Sequence, residues 1–183
     1  EAWGKPRDTA RLPAPRGNGY WSQEIYYELL NAGIRIPPSA GSASGVLPNP
    51  PGYNRVYVHI DPQKDGALSW ETWWGCLRLG RSFVTNGPML LVQANGEWPG
   101  HLFQSHELID ITLSAEILTQ DNIPYVEVIK NGALYRTVPF SELKRSGSLG
   151  ALRFEESGWF IVRAVTDNPK TFRFASTAPF HVE

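Results

Sequence analysis

The chain has 183 residues, 17 Lys and Arg against 18 Asp and Glu, and a formal net charge of −1. Its 42% hydrophobic content can fill one large or two small cores. The basic residues are scattered, with Lys144-Arg145 the only adjacent pair, so no nucleic-acid footprint is present. No apolar run is long enough to cross a membrane as a helix. Cys76 is the single cysteine, which rules out an intrachain disulfide and a thiolate metal cage. The chain begins at Glu1 rather than Met, so a fragment or processed form is expected, and its compartment is left open.

Residues 1–18 are polar, with Pro6, Pro13, Pro15 and Gly17, and read as a loop or arm. A helix follows, with Ser22 as its cap, an apolar stripe of Ile25, Tyr26, Leu29 and Leu30, and Gly33 as a left-handed stop. Ile34-Arg-Ile36 reads as a short strand ended by Pro37-Pro38, and residues 39–52 read as a loop. Asn54–Ile60 alternates, with Val56, Val58 and Ile60 on one face and Arg55, Tyr57, His59 and Asp61 on the other. A second helix is expected over Ser69–Leu79, capped by Ser69 and stopped by Gly80, with Trp70, Trp73, Trp74 and Leu77 on its core side. Cys76 lies in the same apolar pattern and reads as a small core residue rather than a reactive thiol.

Beyond Arg81 the period changes to two. Strands are expected over 89–94, 109–116, 126–130, 133–137, 159–165, 171–175 and 180–182, with Asn95-Gly96 and Asn131-Gly132 as turns. The fold class is therefore α+β. Residues 1–85 form a mixed αβ part, and residues 86–183 form an antiparallel, immunoglobulin-like β-sandwich of six or seven strands.

Five short pieces, in order, carry a family likeness: Tyr26-Tyr27-Glu-Leu-Leu30-Asn-Ala-Gly33, Ser39-Ala-Gly-Ser42, Asn54-Arg55-Val-Tyr57-Val, Gly80-Arg81-Ser-Phe-Val-Thr85-Asn86-Gly87-Pro88 and Asn95-Gly96-Glu-Trp-Pro99-Gly100. Together they resemble the C-terminal region of PHP-type metallohydrolases, in the CehA/McbA-like branch related to carbaryl hydrolase. The resemblance implies that residues 1–85 are the end of a distorted β/α barrel. It also implies a parent enzyme that uses divalent zinc, manganese or iron to activate water. In that family the last strand ends in a Gly-Ser/Thr-Asp-x-His motif, whose carboxylate and imidazole both reach the ion. The corresponding run here is Gly41-Ser42-Ala43-Ser44-Gly45, without either ligand. The resemblance thus implies no metal bound by this chain, no catalytic residue in it and no hydrolysis by it alone. It implies an upstream barrel domain or a second copy as partner.

Read from the residues, five positions stand as candidate substrate-binding groups. Ser42 and Ser44 belong to a hydrogen-bonded turn or a substrate-facing rim; a nucleophile elbow fails because its serine would fall at Ala43. Arg55 either grips a phosphate or carboxylate or pairs with a neighbouring acid. His59 with Asp61 has metal-like spacing but no third ligand nearby, so a surface or hydrogen-bonded role competes with metal binding. Trp98 either packs at the joint between the two parts or stacks on a flat ligand such as a sugar. Trp159 is expected in the core, and His101, His106 and His181 on loops or outward strand positions. The alternative to a metallohydrolase portion is a non-catalytic β-sandwich module that recognises carbohydrate or a protein partner.

Overall fold

The structure, a computed structural model, describes residues 7–183; the part of the expected N-terminal arm before Arg7 lies outside them. The first helix, α1 (Gly17–Asn31), starts a turn earlier than the expected cap at Ser22. Ser22 sits inside it and donates back to the Asn18 carbonyl at 3.1 Å, a local bond that satisfies a mid-helix serine as well as a cap would. The C-terminal end is as expected. Gly33 takes φ +81°, and the Ile34 amide donates to the Leu29 carbonyl at 3.1 Å, closing the helix with a left-handed glycine. The expected strand at 34–36 does not form. The segment runs beside α1 instead, its Ile36 carbonyl accepting from the Tyr26 hydroxyl at 2.6 Å, and Ile34 and Ile36 stay about half exposed. With Pro37-Pro38 removing two donors, no neighbouring ladder is available to it.

Among the described residues, three helices and eleven strands in two sheets make a mixed αβ molecule. The larger sheet is built on β9 (Gly158–Val165). One side of β9 pairs with β6 (Tyr125–Lys130), which pairs in turn with β7 (Ala133–Pro139). The other side carries β10 (Phe174–Thr177) and β11 (Phe180–Val182) in succession. Outward from β10 lie β2 (Ser82–Thr85) and then β1 (Arg55–Val58) at the edge; β4 (Leu102–Phe103) runs parallel to β11. The smaller sheet is antiparallel, β3 (Met89–Ala94), β5 (Ile109–Leu118) and β8 (Ser148–Phe154). The Asn131-Gly132 turn joins β6 to β7, with both residues at positive φ.

One apolar cluster lies between the sheets. Leu90, Val92, Ile111, Leu113, Leu152 and Phe154 of the small sheet meet Val126, Val128, Phe160, Val162, Ala175 and Phe180 of the large one. Phe160 is fully buried and stacks on Phe180, with centroids 4.7 Å apart. A second cluster covers the outer face of the large sheet, where Tyr27 and Leu30 of α1 pack on Ile129, Trp159 and Ile161. Trp159 is buried as expected, but against the helix, and its indole donates to Asn31 Oδ1 at 3.0 Å. Beside it, the Arg163 guanidinium donates to Glu127 at 2.6 Å and to the Gln23 side chain, under the ring of Tyr20.

α2 (Trp70–Arg78) has the expected cap: Ser69 Oγ accepts from the Thr72 amide at 3.1 Å. Its expected core side holds at Leu77 and Cys76 but not at Trp70 and Trp74. Cys76 and Leu77 are buried, whereas Trp70 is 74% exposed and Trp74 50% exposed. A nine-residue helix laid across the end of β1 covers only the stripe that touches it, and the tryptophans fall outside that stripe. Four elements have no counterpart in the expected series: β2, the short β4, β8, and α3 (Phe140–Ser146), which ends at Gly147 in the left-handed region.

Candidate functional site

The Gly41–Asn54 loop is closed by Ser42. Its Oγ accepts from the Asn54 amide at 3.0 Å and lies 3.3 Å from the Asn54 carbonyl, to which it donates. The Asn54 side chain returns a bond to the Gly41 carbonyl at 3.1 Å. Ser42 is thus a clasp that delivers the chain into β1. Ser44 is exposed in a turn where Ala43 and Gly45 take φ +48° and +91°. A divalent ion needs lone pairs from carboxylate, imidazole or thiolate. The side chains of Ala43 and Gly45 have none, and the Ser42 hydroxyl is already engaged, so this turn does not fit a zinc, manganese or iron ion held by side chains. Among the described residues no three His, Cys, Asp or Glu are grouped to hold one elsewhere.

Of the other three candidates, Arg55 begins β1, His59 follows its last residue, and Trp98 lies beyond β3 and reaches His59. Strand alternation puts Arg55, Tyr57 and His59 on the same side. Tyr57 stacks on Phe83 of β2 at 5.1 Å, so this face looks toward the open side between the two sheets rather than straight into solvent. At its far end His59 stacks on Trp98 with centroids 3.8 Å apart. This pair and Tyr57, Arg81, Ser82, Phe83 and Met89 line a cavity of about 160 Å³. Burial pushes the His59 imidazole below its usual pKa, and nearby Arg81 acts the same way while Asp61 opposes. Arg81 is tied to Asp65, whose carboxylate also accepts from the Asp61 amide at 2.8 Å and is held below the usual range by that bond and by Arg81. The thiol of Cys76 is pushed up by burial and by Asp65, which suits a packed residue and not a nucleophile. A Trp98 ring already covered by His59 offers a ligand only its other face.

At the near end of β1, Arg55 lines a separate cleft of about 700 Å³ with Pro50, Tyr53, Asn86, Gly87, Gln120 and Arg173. Met89 lines both spaces, so the small cavity and the large cleft are neighbours. Three strands set the cleft floor in register, Arg55 opposite Thr85 and Thr85 opposite Ala175. Asn86 then locks the segment before β10: its Oδ1 accepts from the Phe174 amide at 2.9 Å and its Nδ2 donates to the Phe172 carbonyl at 2.9 Å. Arg173, between those two anchors, is thereby fixed. Its aliphatic stem lies on Gly87, where a Cβ would sit 3.4 Å from the Arg173 Cβ and 3.6 Å from its Cδ.

The five candidate residues therefore separate into a loop clasp, an arginine cleft and a histidine–tryptophan cavity. Arg173, Asn86 and Arg81 escaped the sequence reading because each acts through a partner far along the chain: Asn86 to Phe172 and Phe174, Arg173 to Asp121, Arg81 to Asp65. Of these only Arg81 carried a local signal, its place at the end of α2. Comparisons with protein-family models, with curated proteins and with solved structures found no match for this chain.

Proposed function

We propose that this chain corresponds to the C-terminal portion of a PHP-type metallohydrolase relative, in which the last metal-ligand turn is degenerate and the chain alone does not hydrolyse substrate. Residues 1–85 would be the remnant of the distorted barrel, and residues 86–183 an immunoglobulin-like β-sandwich beside it. One observation carries the reading. Two of the family-like pieces, Asn54–Val58 and Gly80–Pro88, supply adjacent antiparallel strands, with Arg55 opposite Thr85 and Val58 opposite Ser82. The Ser42–Asn54 clasp ties the Gly41–Gly45 turn to the start of that pair, which supports reading the Ser39–Ser42 piece together with them.

β1 ends its sheet, and near it Leu68, Trp70 and Trp74 are at least half exposed. That edge is the surface an upstream barrel domain or a second copy would cover. A second reading, a non-catalytic sandwich module for carbohydrate or a protein partner, is favoured by the exposed Trp70 ring. The test is titration of the purified chain with zinc, manganese and iron(II), followed by gel filtration, metal analysis and assay against ester, carbamate and phosphoester substrates. The expected result is less than one tightly held ion per chain and no turnover. A stoichiometric ion retained through gel filtration overturns the reading. Sugar or protein binding lost on Trp70→Ala, with no metal effect, moves the conclusion to the second.

A further inference from the structure

The two arginines of the large cleft share an unusual state. Arg55 commits Nη1 to the Gly52 carbonyl at 2.6 Å, and no carboxylate among the described residues pairs with it. Arg173 commits Nη1 to Asp121 Oδ2 at 3.1 Å. In both, Nε is buried and has no hydrogen-bond partner among the described residues. A guanidinium presents its paired donors along the Nε–Nη2 edge, the edge that matches the two oxygens of a carboxylate or phosphate. In each arginine Nη2 makes no hydrogen bond among the described residues, and Nε is without a partner but shut off from solvent. A buried donor without an acceptor costs free energy, which an acceptor reaching either Nε would offset.

Charge points the same way. Two guanidiniums face one carboxylate, Asp121, which leaves the cleft formally positive. The amide of Gln120 stands at the exposed rim, and Pro50, Pro51, Met89 and Leu118 supply an apolar wall. The volume, about 700 Å³, is that of a small-molecule site. The scaffold is rigid where it matters: Arg55 is on a paired strand, and Arg173 is held by the two Asn86 bonds and rests on Gly87.

We propose that this cleft binds the oxyanion group, carboxylate or phosphate, of a small organic anion through the guanidinium groups of Arg55 and Arg173. The site is independent of any metal and of the degenerate turn.

Amide chemical shifts of the 183-residue chain, titrated separately with inorganic phosphate and with acetate, test it. Saturable shifts at the Gly87 and Gln120 amides are expected. Tighter binding of phosphate assigns a phosphate ligand and tighter binding of acetate a carboxylate; equal binding assigns the shared oxyanion chemistry. Arg55→Gln and Arg173→Gln should each weaken binding about tenfold or more. Arg55→Lys keeps the charge and the fold but loses the planar pair of donors, and should also bind several-fold more weakly. Arg153→Gln, which removes an exposed arginine paired with Asp110 on the small sheet, should change nothing. No saturable shift with either anion in the millimolar range, or the same loss in Arg153→Gln as in the cleft variants, overturns the proposal.

Discussion

At the scale of single residues, the outer face of the large sheet shows how burial sets chemistry. Tyr27 is 7% exposed, and burial pushes its hydroxyl pKa up to about 12, although Arg163 pulls the other way. An unfolded tyrosine titrates near 10, so the folded chain holds this proton more tightly. The stability that follows is fully present below about pH 10 and is lost as pH rises toward about 12, a loss of about 2–3 kcal/mol. Burial raises Tyr20 and Tyr26 as well, so Tyr27→Phe should make the alkaline decline shallower without abolishing it. Urea unfolding at stepped pH measures this; an unchanged slope in the variant assigns the decline to other groups. At this scale the sequence was a partial guide. It marked Arg55 as an anion or ion-pair group from strand alternation, but its companion Arg173 is reached only across β2 and β10. Nothing local joins residue 55 to residue 173.

At the scale of elements, caps and turns were legible because their physics is contained in a few adjacent residues. Ser69, Gly33, Asn95-Gly96 and Asn131-Gly132 all act where the sequence put them. Ser69→Ala should cost about 1 kcal/mol, by removing the Oγ that accepts the Thr72 amide. A denaturant midpoint shift without a change in slope is the expected signature; an unchanged midpoint means that α2 contributes nothing to the cooperative unit. How far the apolar side of α2 is covered was not legible. Cys76 and Leu77 of that expected side are buried, whereas Trp70 and Trp74 are left exposed, and only the docking of the helix decided it. The start of α1 was misplaced for a related reason. Ser22 is a good cap by residue type, yet its hydroxyl finds an equivalent partner one turn back.

At the scale of the whole molecule, β9 is the hub, pairing with β6, β10 and β11, and hydrogen bonding continues through β10 to β2 and β1. Phe160 on β9 is fully buried against Phe154 and Phe180. Phe160→Ala should cost about 3–5 kcal/mol from lost transfer energy and the cavity left behind. Because the ladder runs on to β1, tryptophan fluorescence, which reports partly on α2, and far-ultraviolet circular dichroism should unfold together in the parent chain. Two separated transitions would mean that the segment through α2 unfolds as its own unit.

Alternation and turn chemistry, being local, determined from the sequence alone that this chain is α+β, with a β-rich second half and hairpins at its Asn-Gly pairs. Residue type alone also determined that the side chains of Ala43 and Gly45 offer no lone pairs to a cation. Tertiary structure decided the rest: that His59 covers Trp98, that Ser42 is a clasp, and that Arg55 and Arg173 line one cleft. Strand pairing and packing join residues more than a hundred positions apart, and no periodicity along the chain encodes which distant strands will become neighbours.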